Sequence, residues 1–572
     1  MTSRVFGSGG GVTTFLLVAG GLVLAGSRLA AVESDPEADI DAIFADLDSV
    51  RSPGCAVGVI RGGTLVYQRG YGMASLEHGV PIDENTVFYT GSVSNQFTAA
   101  AVTMAAREGY VSLNDDIRTW FPEISDYGST ITVRHLVHHT SGLRDYLGLM
   151  LLAGRPAENI TTPERVLDLI TRQQALNFAP GEQYLYSNTG YFLMAQLVER
   201  ATGRSLRQYA HEKFFAPLSM RHTHFHDDRD EIVEARVAAY AAGDDGFIVN
   251  WSSSFDQVGS GGLLSTIEDL VAWDQSYYDD RLGAGFWDAL QERGVLSSGQ
   301  TLSYAFGLTI DEYGRHRRVQ HGGSMFGYRA QLSRFPDVQL TVAVLCNLAG
   351  ADPGARANQV EDLFLPREER TGPSRREERV REPIRLDPIR LTLTQLDAWA
   401  GEYEFVSGVV YDIARDGDNL VANTPNGPLT LIPVSDSEFR LAESRPSHTD
   451  SVVRFREVNG ERSLGVEISG NYFTAIRVPT RVTDPARLTA WVGAYRSEEL
   501  DATAVIRLEA GQLTYHVGSA DREAAVVRGE ASLFLRGLQA EGEFGDGGRV
   551  DTFVVNTGRV RGIRFWRTNR ER

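Results

Sequence analysis

The sequence predicts an α/β (α+β) globular domain over residues 35–365, followed by two small all-β barrel domains. Three observations carry this. Strand-like runs such as CAVGVIRGGTLVYQRGYGMA and LTVAVLCNLAG frame amphipathic stretches such as SVSNQFTAAAVTMAAREG and NTGYFLMAQLVERATG. A tract dense in charge and proline then interrupts the pattern, and beyond it one arrangement of Leu, Trp, Gly and Tyr occurs twice.

Residues 1–31 hold one early cation, Arg4, an uncharged apolar stretch from Gly11 to Ser27, and small residues at Ala30 and Ala31 before the chain turns acidic. That is the pattern of an export signal peptide, which implies a periplasmic or secreted protein. The competing reading is an uncleaved anchor of about 20 apolar residues, which would associate the protein with a membrane. No cysteine directly follows the stretch, which argues against a lipid-modified end.

Within the domain the amphipathic stretches place apolar residues at helical spacing, and the second closes on Gly203, a C-cap signal. Residues 366–390, PREERTGPSRREERVREPIRLDPIR, lack aromatics and interleave arginine with glutamate. They read as a solvated linker and not as a nucleic-acid arm. Next, Leu396, Trp399, Gly401 and Tyr403 in LDAWAGEY recur as Leu488, Trp491, Gly493 and Tyr495 in LTAWVGAY, each displaced by 92 residues. Two repeat units follow, 391–480 and 484–572. Their short alternating runs (VYDIA, NLVAN, LTLIPV; TAVIRLE, QLTYHV, SLFLRG) read as small antiparallel barrels or sandwiches with the Trp and Tyr as core anchors.

Composition excludes several classes. The chain has 572 residues, 42% apolar and 23% charged, so it is not disordered throughout. Seventy-five acidic against 56 basic residues give a net charge of -19, the wrong sign for a nucleic-acid partner. Lys213 is the sole lysine. Arginine stays protonated and cannot accept a proton, so a lysine base must be Lys213 or be absent. Two cysteines, Cys55 and Cys346, sit in apolar runs where buried inert thiols are expected; a bridge forms only if those runs are neighbouring strands.

Three segments concentrate groups able to do chemistry. In VFYTGSVSNQF, Ser92 follows a glycine at an apparent helix start, where free N–H groups and the helix dipole favour a developing anion. By itself such a serine reads as an N-cap. PGEQYLYSNTGYF presents Tyr186, Ser187 and Asn188 before a helix, and VQHGGSMFGYRAQL presents His321, Gly322, Gly323 and Ser324, whose glycines permit close backbone approach.

In this order the segments resemble the serine hydrolase family of class C beta-lactamases, penicillin-binding DD-peptidases, esterases and D-aminopeptidases. ITVRHLVHHTSGLRDY, FFAPLSMRHT before His224, and GSGGLLSTIEDLVAW also look like landmarks of that family, so the resemblance spans the whole first domain. It implies a beta-lactamase-like fold, an antiparallel sheet flanked by helices with a helical subdomain, and no cofactor. His-x-Gly at His321, in place of Lys-Thr-Gly, and the paired trailing units are similar to the D-aminopeptidase layout. The resemblance further implies Ser92 as acylated nucleophile, Tyr186 as the phenol shuttling its proton, Asn188 as a substrate contact and His321 on the opposite flank. Gly322, Gly323 and Ser324 would line the substrate, with the backbone N–H groups of Ser92 and Ser324 as oxyanion hole.

One residue departs from the pattern. The motif is Ser-x-x-Lys, and Asn95 stands where the lysine belongs. An amide can orient Ser92 but neither takes its proton nor brings the charge that would hold Tyr186 as phenolate. Lys213, in RQYAHEKFFAPLSM, reads as a surface residue, and His321 remains the alternative base if it reaches Ser92 or Tyr186. Weak hydrolysis or none is expected.

Other candidates carry less. His222, His224 and His226 alternate before Asp227 and Asp228, a spacing that would put three imidazoles on one strand face, but they read as an exposed strand end and no metal site is expected. His135, His138 and His139 read as hydrogen-bonded structural residues at a helix end beside the site. The functional expectations are therefore an exported hydrolase acting on D-amino-acid peptides or small esters, a silent relative that binds such ligands or peptidoglycan stems, or an assembly role for the β units, with a homo-oligomer left open.

Overall fold

The computed structural model describes residues 36–155, 160–250, 255–366, 389–405, 410–424, 427–441, 452–458, 461–468, 471–478, 482–518, 520, 522–528, 531–535 and 538–568. The expected signal peptide, and all of the linker but its ends, lie outside these residues.

Six antiparallel strands form the central sheet, in the order Thr309–Tyr313, His316–Met325, Tyr328–Phe335, Leu340–Cys346, Cys55–Arg61 and Thr64–Tyr71. Leu340–Cys346 and Cys55–Arg61 are continuous apolar runs buried on both faces, as the middle of a covered sheet requires. Alternation sorts their side chains. Val57, Val59, Val342 and Val344 pack with Ile40 and Phe44 of helix Pro36–Phe44 and Val360 of helix Pro353–Phe364. Ala56, Ala343 and Leu345 face the opposite side, where helix Ile267–Gln275 lies so close that any side chain at Gly58 would strike Ile267.

Cys55 and Cys346 are directly paired across the two strands and form a disulfide, which corrects the expectation of buried free thiols. Strand adjacency joins residues 291 apart in sequence and is set by topology, which neither cysteine run encodes locally.

The helical side is built around helices Ser94–Arg107 and Asn188–Thr202, which pack on one another. Their neighbours start on side-chain caps: Thr132 accepts from His135 N, Asp145 from Gly148 N, and Thr162 from Arg165 N. Gly203, at φ 71°, ends the second helix in the left-handed conformation its sequence anticipates. Among the described residues no helix is long and apolar enough to cross a membrane.

Both trailing units close into eight-stranded barrels, one from Gly401–Phe405 to Asn471–Arg477 and one from Gly493–Ser497 to Val560–Arg567. Their shared motif has one structural cause. The Tyr403 hydroxyl donates to Trp399 O at 2.9 Å and the Tyr495 hydroxyl to Trp491 O at 2.8 Å, while Leu396 and Leu488 are buried. Each tyrosine thereby ties the barrel's first strand to the segment that enters it.

The second barrel is seated on the first domain. Arg144, almost wholly buried, pairs with Glu499 at 2.7 Å and donates to Arg561 O and Gly562 O at 2.8 and 3.2 Å. Asn177 Nδ2 donates to Arg559 O at 2.9 Å and its Oδ1 accepts from Arg561 N at 2.9 Å. The barrels are joined to one another by the Arg528–Glu402 ion pair.

Candidate active site

Ser92 lies in a single 3-10 turn, Gly91–Val93, that runs into helix Ser94–Arg107. Gly91 takes φ 55°, and a β-carbon on it would sit 2.6 Å from Ser324 N; one on Gly323 would strike Thr90 O and lie 3.1 Å from Ser92 N. Two glycines thus let the turn and strand His316–Met325 touch backbone to backbone. Strands His316–Met325 and Tyr328–Phe335 are joined by the two-residue turn Phe326–Gly327, which makes Met325 and Tyr328 the hydrogen-bonded closing pair. Ser324 falls in the next, non-hydrogen-bonded pair, so its amide points out of that ladder toward the Ser92 turn. The Ser94 hydroxyl secures the turn by donating to Gly91 O at 2.5 Å and accepting from Leu263 N at 3.2 Å.

A cleft of about 760 Å³ opens over this turn. Ser92, Tyr186, Asn188, His321 and the segment Gly322–Ser324 all line it. Asn95, one helical turn beyond Ser92, is wholly buried beneath it. Its Nδ2 donates to the Tyr186 hydroxyl at 2.7 Å and to the Tyr304 hydroxyl at 3.4 Å, and its Oδ1 has no hydrogen-bond partner. Tyr186 and Ser92 both line the cleft, and the Ser92 side chain acts to lower the phenol's pKa. Burial raises the phenol's pKa, against the lowering effects of Ser92, Asn95 and the Arg559 charge, so Tyr186 is a neutral phenol at neutral pH.

His321 does not reach Ser92 or Tyr186 by any hydrogen bond, which corrects its expected availability as a base. Its Nδ1 lies 2.6 Å from Gly322 O and its Nε2 lies 3.0 Å from the Tyr304 hydroxyl. A carbonyl only accepts, so Nδ1 carries the proton and Nε2 spends its lone pair on Tyr304. Burial lowers the imidazole's pKa to about 4, which keeps it neutral.

Asp145 fixes the Tyr186-Ser187-Asn188 segment. One carboxylate oxygen accepts from Asn188 N at 2.6 Å and Asn188 Nδ2 at 2.8 Å, and the other caps Gly148 N at 3.1 Å. His139 forms the floor, its ring 4.2 Å from that of Tyr186 and 4.6 Å from that of Tyr304. Its Nδ1 accepts from Ser187 N at 3.2 Å, so its proton is on Nε2, which is buried without a partner. Arg559, from the turn between the last two strands of the second barrel, lines the cleft with its guanidinium 4.8 Å from the Tyr186 ring centre.

Sequence reasoning did not find Tyr304, Asp145 or Arg559, and read His139 only as structural. Tyr304 lies in an irregular stretch, SYAFG, with no periodicity, and Arg559 belongs to another domain. Lys213 is paired with Glu108 at 2.6 Å and Glu212 at 3.3 Å and does not line the cleft. Of the alternating histidines only His224 lies in a strand, the two-residue His224–Phe225, and His222 is exposed, which corrects the expected shared strand face. His224 and His226 converge on Glu231 at 3.5 and 3.3 Å. That carboxylate is already held by Arg207 at 2.6 and 2.7 Å, and Arg236 donates to His226 Nε2 at 3.0 Å, which leaves the other nitrogen protonated toward Glu231.

The antiparallel sheet, the helical side and a serine turn facing a glycine-rich strand define a serine hydrolase fold of the penicillin-recognising type. The chain matches the Beta-lactamase family over residues 40–365 and belongs to it. It is 29% identical over 469 residues to a D-aminopeptidase of Brucella anthropi, covering 81% of this chain and 82% of that protein. A D-aminopeptidase of Brucella canis is 30% identical over 311 residues, covering 52% of this chain and 57% of that one. The chain thus spans little more than half of the Brucella canis protein. The fold is also similar to the octameric penicillin-binding protein homologue from Pyrococcus abyssi, with a TM-score of 0.54 and 23% identity over 77% of this chain and 99% of that one.

Proposed function

We propose that the protein is an exported serine hydrolase that cleaves amide or ester bonds through an acyl-Ser92 intermediate, with D-amino-acid peptides or small esters as substrates. The observation that carries this reading is the cleft, which Ser92 shares with Tyr186 and with the Ser324 strand that its turn touches backbone to backbone. The D-aminopeptidase relatives support an amide substrate.

In this reading Ser92 Oγ attacks the substrate carbonyl as its proton passes to Tyr186, and the oxyanion is held by the N–H groups of Ser92 and Ser324. Collapse expels the amine or alcohol, which takes the proton back from Tyr186. Water then repeats the sequence and releases the acid, restoring Ser92. The step at Tyr186 requires phenolate character that Asn95, as a neutral amide, does not supply. Loss of a positioned general base costs on the order of 10²- to 10⁴-fold in rate, so turnover is slow.

A second reading, a binding protein without turnover, is favoured by two observations: the lone pair of His321 is committed to Tyr304, and no lysine lines the cleft. Export to the periplasm or beyond is supported by the Cys55–Cys346 disulfide, which fits an oxidising compartment. The discriminating experiment follows hydrolysis of chromogenic D-alanyl and L-alanyl anilides and a short-chain ester. Slow, D-selective turnover lost in Ser92→Ala supports the hydrolase, whereas saturable binding without product supports the silent reading.

A further inference from the structure

The cleft around Tyr186 contains no lysine, yet it is not without a cation. The titratable groups around this phenol are His139, Tyr184, Tyr191, Tyr304, His321, Asp145 and Arg559. Both histidines are kept neutral by burial, and the tyrosines are neutral phenols. Asp145 is occupied by the Asn188 amides and the Gly148 N–H, and its negative charge opposes a phenolate at Tyr186. That leaves one positive charge over the ring, the Arg559 guanidinium at 4.8 Å from its centre.

The placement of Arg559 is built. Its carbonyl oxygen accepts from Asp145 N at 3.3 Å and Asn177 Nδ2 at 2.9 Å, and the strand that follows is latched by buried Arg144 through Arg561 O and Gly562 O. Val560 packs so tightly on the first domain that a β-carbon at Gly148 would lie 2.7 Å from it. Among the described residues no carboxylate lies within ion-pair distance of the Arg559 guanidinium, so its charge is not neutralised by a neighbour.

We propose that Arg559 supplies, from the second barrel, the positive charge that stabilises the Tyr186 phenolate in place of the lysine absent at position 95. The second barrel then belongs to the acylation machinery. The division of labour is physical: Asn95 orients the phenol oxygen from below, and Arg559 provides charge across the ring face. A guanidinium stays charged and accepts no proton, so Arg559 is a positioning residue acting through Tyr186 and not itself a base. The guanidinium lies 4.8 Å from the ring centre and is itself exposed, so solvent screens part of its charge and it changes the phenolate fraction by up to about tenfold. This proposal rests on the reading that Ser92 is acylated with Tyr186 as its proton acceptor.

The experiment measures the rate of Ser92 labelling by a fluorophosphonate against pH, in the full chain and in Arg559→Met, Arg559→Lys and the double variant Arg559→Met/Asn95→Lys. Methionine keeps much of the stem's packing and removes the charge, and thermal denaturation checks that each variant is folded. The expected result is an inflection of the labelling profile that moves up by as much as about 1 unit in Arg559→Met, with a rate up to about tenfold slower below it. Arg559→Lys should retain the wild-type inflection, and the double variant should regain the wild-type rate. A folded Arg559→Met with an unchanged profile overturns the proposal while leaving acylation in place. No labelling of any chain at any pH overturns the acyl-serine reading and this proposal together.

Discussion

Asn95 donates its amide N–H to the Tyr186 phenol oxygen at 2.7 Å, in the position from which a lysine ammonium would both orient and charge that oxygen. The geometry of the motif is kept and its charge is not. Asn95→Lys should accelerate Ser92 labelling at least about tenfold. It should also cost about 1–3 kcal/mol of stability, because the ammonium is buried beneath the cleft where its hydrogen-bond partners are neutral phenols. Labelling kinetics and thermal denaturation of the same variant check both halves.

Much of this site was legible in the sequence for a local reason. Ser92, Asn95, Tyr186, Asn188 and His321 each lie within a few residues of a glycine, a cap or a helix start whose backbone demands are written beside them. Tyr304 was illegible because its role comes from a tertiary contact with His321, and that contact is what removes His321 as a base. The barrels were legible through their repeat, since Tyr403 and Tyr495 make the same local bond. That the second barrel sends Arg559 into the cleft depends on how two domains dock, which no spacing encodes.

Asp145 is buried and serves a helix cap and the Asn188 amides at once. Asp145→Ala should destabilise the domain by about 2–4 kcal/mol, the sum of a lost cap and two unpaired buried donors. It should also reduce binding of any ligand that uses Asn188. Denaturant unfolding with a binding assay on the folded fraction measures both.

The disulfide closes a loop spanning 291 residues. Its loss should cost about 2–5 kcal/mol. Cys55→Ala/Cys346→Ala should therefore melt at a lower temperature than the oxidised wild type, and a reducing agent should lower the melting temperature of the wild type but not of the double variant.

His321 has its pKa lowered by burial to about 4, against an ordinary value of about 6.5. Between those values the unfolded chain binds the proton and the folded chain does not, so this group contributes a stability that falls as pH drops from about 6.5 and levels off below about 4. The slope approaches about 1.4 kcal/mol per pH unit mid-window. His224, lowered to about 4 by burial, acts in the same window. His321→Gln should thus flatten the pH dependence of the urea midpoint only in part.

The most direct test of the whole account is intact-protein and peptide mass spectrometry after incubation with a fluorophosphonate. One adduct is expected, on the peptide that contains Ser92, absent in Ser92→Ala and slower to form in Tyr186→Phe. No adduct after prolonged incubation at alkaline pH, or an adduct on another serine that persists in Ser92→Ala, would contradict it.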